Sequence, residues 1–214
     1  MLSAERIRDE VLRLLAAPKP SIGFRLMRQS GLLEVVMPEL SACAGVEQRE
    51  LHCYDVFEHL LASCDAASAD NRIVRLAALL HDIGKPQAME QAEDGQLRFH
   101  GHEQLSARIS EEILRRLRFS NEEVRRTVHL VRQHMFNYEG EWSDAAVRRF
   151  LARVGLQEVP DLLALRRADQ AAQSARLRRG RAGDRDDRGI LTPGQGASGT
   201  SAGDRAGPAG EGTA

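Results

Sequence analysis

Aromatic side chains are scarce in this chain, with one Trp, two Tyr and six Phe among 214 residues, or 4%. Few β-branched runs and many Ala, Leu and Arg favour helices, and the shortage of rings leaves no stacking platform for RNA. Charge of one sign is also missing. Lys and Arg number 30 against 31 Asp and Glu, a formal net charge of −1, so no bulk field holds nucleic acid and each arginine cluster has to be judged by itself. Cysteine is limited to Cys43, Cys53 and Cys64. An odd number with no CxxC pair fits free thiols with packing roles in a reducing compartment. No apolar run approaches the roughly 20 residues that span a bilayer, and charges stand where a signal peptide needs its apolar core. The expectation is a cytoplasmic protein with no membrane partner.

What is present is helical periodicity around one sizeable core, so the fold class is all-α with appendages. Ser3 caps a helix carrying Ile7, Val11, Leu14 and Leu15, which Pro18 and Pro20 end. A second helix runs to Ser30, with Gly31 as its C′ residue and a short step to Pro38. Asp55 opens a helix containing Phe57, His59, Leu60 and Leu61, and the apolar run 73–80 forms the next. Residues 87–101 are polar, contain Asp94-Gly95 and read as a loop or small hairpin. Helix 103–117 follows, and Ser120-Asn121-Glu122-Glu123 fits a capping box opening a helix that reaches His134. Further helices start near Trp142 and Pro160. Ten of the 18 glycines fall in the last 35 residues, so the segment from about 176 has little apolar surface to offset its ordering entropy and is expected to be disordered.

The run 73–80 closes on His81-Asp82-Ile83-Gly84-Lys85-Pro86. An imidazole beside a carboxylate at the buried end of a helix, with Gly and Pro loosening the last turn, offers one nitrogen and one oxygen to a cation. An isolated His-Asp pair is more often a core histidine beside a polar helix end. Here His59 on the preceding helix and Asp169 inside a later apolar helix supply further donors, and ligands from separate helices are how bundles build metal centres. His102 and His134 are either two more ligands or solvent-facing terminal histidines. His129, five positions before His134, lies on another helical face, while His52 and His100 have weaker cases. Lys85 is a substrate-binding and catalytic candidate that meets phosphate as a point charge, or else a solvated helix-end lysine. Nitrogen and oxygen donors together suit Mn, Fe, Co, Ni or Zn better than Mg.

The order H…HD…D resembles the HD superfamily of metal-dependent phosphohydrolases. That resemblance implies a helical HD-domain bundle, one or two divalent transition-metal ions, and, if His102 and His134 join the set, Asp82 bridging two of them. A narrower resemblance runs through Ser3-Ala4-Glu5-Arg6-Ile7-Arg8-Asp9-Glu10, Met37-Pro38-Glu39-Leu40, Tyr54-Asp55-Val56-Phe57-Glu58-His59, Gly101-His102-Glu103 and Arg118-Phe119-Ser120-Asn121. These look like the neck, body and HD segments of the bacterial tRNA nucleotidyltransferase and poly(A) polymerase family. The implied units are 1–44 as neck and body, 45–175 as HD domain and 176–214 as tail.

That family's catalytic head, a Gly-Ser dipeptide followed by paired aspartates upstream of the ERIRDE-like run, is expected to be absent, so nucleotidyl transfer is not expected of this chain alone. Three readings follow. One is a phosphohydrolase acting on nucleotides or on cyclic and monoester RNA ends. The second is an RNA-binding or tRNA-binding accessory fragment, using arginines such as Arg125 and Arg126 against phosphates. The third is a remnant without activity. For the arginines, a solvated helix face is the favoured reading.

Overall fold

Local signals account for where the helices start. Ser3 Oγ accepts from Arg6 N at 3.4 Å to open α1 (Ala4–Ala16), and Pro20 stands at the first position of α2 (Pro20–Gln29). Gly31, at φ 74°, turns the chain into α3 (Leu32–Val36) and then α4 (Pro38–Ser41). Asp55 caps α5 (Val56–Ala66) through Glu58 N, and Asn71 caps α6 (Arg72–Leu80) through Val74 N. The computed structural model describes residues 3–47, 55–136 and 142–186, with side chains through Ser174. His52, Cys53 and residues 187–214 lie outside the described residues.

After α6 a turn leads into α7 (Lys85–Ala88) and a two-residue antiparallel ladder, β1 (Glu90–Gln91) with β2 (Leu97–Arg98), paired Glu90 to Arg98 and Gln91 to Leu97. This is the small hairpin expected of the polar segment. Gly101, at φ 70°, precedes α8 (His102–Arg116). The capping box at Ser120 and Glu123 is formed in both directions and opens α9 (Asn121–Gln133). Then come α10 (Asp144–Val154), a single 3₁₀ turn (Leu156–Glu158) and α11 (Val159–Asp186). The backbone helix of α11 thus continues past residue 176, where the tail was expected to start. Ala, Leu and Arg in 175–182 have high helix propensity and extend a helix already nucleated by packing.

α6 is buried along its whole length from Ile73 to Leu80. It packs against α5, α9, α11 and α1, so it is the central rod around which the others are laid. Cys43 and Cys64 are fully buried, in keeping with packing roles.

The N-terminal helices are tied to the bundle by polar contacts. Ser21 donates to Asp65 through both N (2.9 Å) and Oγ (2.7 Å), and Arg25 forks onto Glu58 at 2.7–3.1 Å. Arg75, 2% exposed, reaches from α6 to the carbonyls of Leu15, Ala17 and Ala67, satisfying the open ends of α1 and α5.

A candidate metal centre at the end of the central helix

The buried helix α6 ends at Leu80, and His81 is its C-cap residue. The next residues form a tight turn, with Ile83 N donating to Leu80 O at 3.2 Å, and His81 Nε2 comes within 3.4 Å of Asp82 Oδ2. Gly84 makes this possible. A Cβ there would stand 2.6 Å from Ser106 N and 2.8 Å from Leu105 Cβ, so only glycine lets the turn rest against the first turns of α8, where His102 sits. Ser106 Oγ accepts from Gly84 N at 2.9 Å and holds that contact.

Five segments deliver the donors: His59 from α5, His81-Asp82 from the α6 end, His102 from the first position of α8, His134 from the C-cap of α9, and Asp169 from α11. All six are 1–7% exposed. Around one point His59 Nε2 lies 3.2 Å from His81 Nε2, 3.5 Å from Asp82 Oδ2 and 3.2 Å from Asp169 Oδ1. His81 Nε2 lies 3.4 Å from Asp82 Oδ2 and 3.8 Å from Asp169 Oδ1. Around a second point His102 Nε2 lies 3.1 Å and His134 Nε2 3.5 Å from the other oxygen, Asp82 Oδ1. Donors bound about 2.0–2.2 Å from one ion are about 3.0–3.5 Å from one another. All but the 3.8 Å between His81 and Asp169 fall in that range, with Asp82 presenting one oxygen to each point.

The ring orientations agree with this reading. His81, His102 and His134 each place Nδ1 on the carbonyl three residues back, Ala78 at 2.9 Å, Phe99 at 2.8 Å and Val131 at 2.6 Å. A carbonyl can only accept, so Nδ1 carries the proton and the Nε2 lone pair faces the cluster. His102 Nε2 and His134 Nε2, though close to Asp82, are buried without an aligned hydrogen-bond partner, as is His59 Nδ1. Such groups cost about 1–3 kcal/mol each if left so. The Nε2 lone pairs of His102 and His134, directed at a shared centre, are what a cation would satisfy, whereas His59 turns Nε2 to the centre and its open Nδ1 away from it.

Electrostatics favour the ligating states of His81, Asp82 and Asp169, while at His102 burial is outweighed by the Asp82 carboxylate, which raises the pKa and favours the proton until a cation takes its place. Burial lowers the pKa of His81 to about 4, so it is neutral at pH 7. Burial works against a charged Asp82, but the Lys85 ammonium, its Nζ 2.6 Å from Oδ2, and the neighbouring imidazoles hold the carboxyl well below its ordinary range. Asp169 follows the same balance, with the His59 contact overcoming burial and holding it at about 2. The centre therefore pairs a neutral His81 with two carboxylates.

The remaining candidates separate from the centre. Lys85 sits at its edge, on Asp82 and 5.6 Å from the centroid of the Phe99 ring. His129 turns away, its Nε2 2.8 Å from Val154 O, which ties α9 to α10. Arg126 is engaged by Glu158 (3.2 Å) and Asp161 (2.7 Å), and Arg125 by Glu122 (2.8 Å). Arg125 and Arg126 lie about 14 Å and about 12 Å along α9 from His134 at 1.5 Å per residue, paired within the N-terminal half of the helix. Sequence reasoning passed over Arg166, one turn before Asp169, whose Nη1 is 3.6 Å from Asp169 Oδ2. Its i,i+3 spacing to a candidate ligand was the available signal.

The chain shares sequence with known families over nearly all the described residues. The family described as "HD domain" matches residues 49–177, and that described as "Probable RNA and SrmB- binding site of polymerase A" matches residues 1–43. An A-adding tRNA nucleotidyltransferase of Deinococcus radiodurans is 37% identical over 174 residues, covering 78% of this chain and 39% of that protein. A CC-adding tRNA nucleotidyltransferase of Thermus thermophilus is 39% identical over 176 residues, with the same coverage of 78% and 39%. A multifunctional CCA protein of Cupriavidus taiwanensis is 36% identical over 188 residues, 85% of this chain and 43% of that protein. The chain thus spans about two fifths of the length of these relatives.

Proposed function

We propose, from the premise that this chain belongs to the HD-domain family, that it is a metal-dependent phosphohydrolase acting on phosphomonoester or cyclic and diester groups of nucleotides or RNA ends. The observation that carries this reading is the convergence of His59, His81, Asp82, Asp169, His102 and His134, with buried imidazole nitrogens left unpartnered. His59, His81, Asp82 and Asp169 would hold one divalent ion, and Asp82, His102 and His134 a second. The mixed nitrogen and oxygen donors suit Mn, Fe, Co, Ni or Zn. A bound ion of this kind supplies a water ionised near neutral pH and positive charge against the phosphoryl oxygens.

The protein's own groups do the rest. The backbone carbonyls of Ala78, Phe99 and Val131 hold three imidazoles in the ligating tautomer. Lys85 neutralises Asp82 and stands where a phosphate oxygen would arrive. Hydrolysis of bis(p-nitrophenyl) phosphate and of 2′,3′-cyclic nucleotides tests the reading. Turnover that requires added Mn or Ni and vanishes with a chelator is expected, and a metal-loaded protein inert to both would overturn it.

A second reading, an accessory segment that binds tRNA, is favoured by the match of residues 1–43 to a polymerase RNA-binding family and by the likeness to tRNA nucleotidyltransferases. Nucleotidyl transfer in their names belongs to proteins more than twice this length, and it is not proposed for this chain alone. Retention of tRNA by the metal-free protein at about 0.15 M salt, without turnover of either substrate, would favour this second reading.

A further inference from the structure

We infer that Arg166 is a phosphate-binding residue of the same centre, receiving the non-bridging oxygens of a phosphate dianion beside the metal ligands. The inference rests on the phosphohydrolase reading and adds a residue to it. Asp169 divides its two oxygens: Oδ1 lies 3.2 Å from His59 Nε2 in the ligand cluster, and Oδ2 faces Arg166. The guanidinium is thus held beside the centre, one helical turn from a ligand. Its Nη1 is 3.6 Å from Oδ2, which is beyond hydrogen-bond length, and no hydrogen bond from its five N–H groups is made among the described residues.

This sets Arg166 apart from arginines with structural work. Arg25, Arg75, Arg116 and Arg126 each place two or more N–H groups on carboxylates or carbonyls at hydrogen-bond length. Arg166 is also 35% exposed in its side chain, while the Asp169 side chain beside it is 10% exposed, so it stands between the buried cluster and solvent. A guanidinium fork with open N–H groups is matched to two oxygens of one phosphate.

Charge fits the assignment. Asp82 and Asp169 bring two negative charges, and Lys85 and Arg166 bring two positive ones. The protein itself is then balanced, and bound divalent ions leave the centre positive enough for a dianion. Lys85 and Arg166 sit against different carboxylates, from α7 and from α11, so a phosphate between them would be oriented from two sides.

Arg166→Gln and Arg166→Lys, each loaded with Mn, test this by three readouts. Metal content should equal that of wild type in both. Inorganic phosphate, titrated calorimetrically, should bind the Gln variant about tenfold more weakly, as expected for loss of one charge-assisted contact, and the Lys variant with an intermediate constant. KM for p-nitrophenyl phosphate should rise in step, with a smaller change in kcat. Unchanged phosphate affinity in the Gln variant, absence of phosphate binding by the loaded wild type, or loss of metal from both variants would overturn the inference. Phosphate binding that depends on Arg166 in a protein without turnover would uphold it while removing the hydrolase reading.

Discussion

Two buried polar regions of this protein are built on opposite rules. At the seam between the N-terminal helices and the bundle, Arg75 is 2% exposed and its guanidinium is used on the carbonyls of Leu15, Ala17 and Ala67. Nearby, Ser21 and Asp65 are joined by two hydrogen bonds, and Arg25 and Glu58 by a fork. At the end of α6 the cluster of four histidines and two aspartates is as buried, yet imidazole nitrogens there have no aligned partner. A buried polar group that is satisfied by the protein holds the fold, whereas several open imidazole nitrogens converging with carboxylates make a place a cation fits; the open hydroxyls of Ser63, Ser110 and Thr127 show that a single unpartnered atom does not by itself imply a ligand.

The largest effect should come from Asp82→Asn, which keeps the shape and removes the charge shared by both ligand points. Bound metal, measured by elemental analysis, should be lost entirely and phosphodiester turnover with it, while helical circular dichroism stays near wild type. Retained metal would erase the contrast between the regions.

Arg75→Leu attacks the other region. It removes a cation that satisfies helix ends and leaves up to three carbonyls buried without a donor, at a cost of about 3 kcal/mol. Urea denaturation should register that loss, and metal stoichiometry in the folded fraction should be unchanged. A stability within about 0.5 kcal/mol of wild type would mean the seam is not held by Arg75.

Acid should probe the cluster alone in chelator-stripped protein. The folded-state pKa of His81 is lowered by burial to about 4 from an ordinary 6.5, so its contribution to stability is complete above pH 6.5. The unfolded chain takes up the proton first as pH falls, and stability declines between about pH 6.5 and 4, on the order of 3 kcal/mol in all. For His102 burial opposes the charge, but the Asp82 carboxylate outweighs it and raises the pKa. Its contribution has the opposite sign, complete below pH 6.5 and lost as pH rises through its folded value, so its change falls above the window of the His81 decline. A denaturation midpoint that is flat across this window would contradict the neutral buried state of His81.

Gly84→Ala should have a smaller and more local effect. The added Cβ must displace the Ser106 amide, 2.6 Å away, at about 1–3 kcal/mol, and it pushes α8 and His102 from Asp82. The stripped protein should lose that stability. In the loaded protein the ion held by His102 and His134 should weaken before the one held by His59, His81 and Asp169. Equal weakening of both would show that the two ligand points are not separable.

Smallest of all, Arg125→Ala should change stability by less than about 0.5 kcal/mol and leave KM as it was. The side chain is exposed and paired with Glu122, and pairs of that kind contribute little. A clear rise in KM would move the substrate site to the N-terminal half of α9.

Much of this was legible beforehand because it is local. The capping box at Ser120, the cap at Asp55 and the end of α6 at His81 depend on neighbours within four residues, the turn at Asp94-Gly95 joins strands paired within eight, and all are found where the residues placed them, the segment 87–101 taking the hairpin of its two expected forms. The candidate ligands could be nominated for the same reason, as polar residues at the ends of apolar helical runs. The reach of α11 beyond 176 was missed because composition was averaged over the Gly-rich segment, while its first residues are good helix formers continuing an existing helix.

By itself the sequence determined that the chain is helical, where most of its helices begin, and which imidazoles and carboxylates are available along them. Only the tertiary structure decided that His59, His81, Asp82, His102, His134 and Asp169 are gathered in one buried cluster, that Asp82 offers one oxygen to each side, and that Arg126 is paired away while Arg166 lies beside Asp169. The physical reason is range. Caps and periodicity act through hydrogen bonds and side-chain contacts between residues one helical turn apart, whereas the centre depends on the packing of five segments and on the single missing Cβ at Gly84 that lets α8 approach.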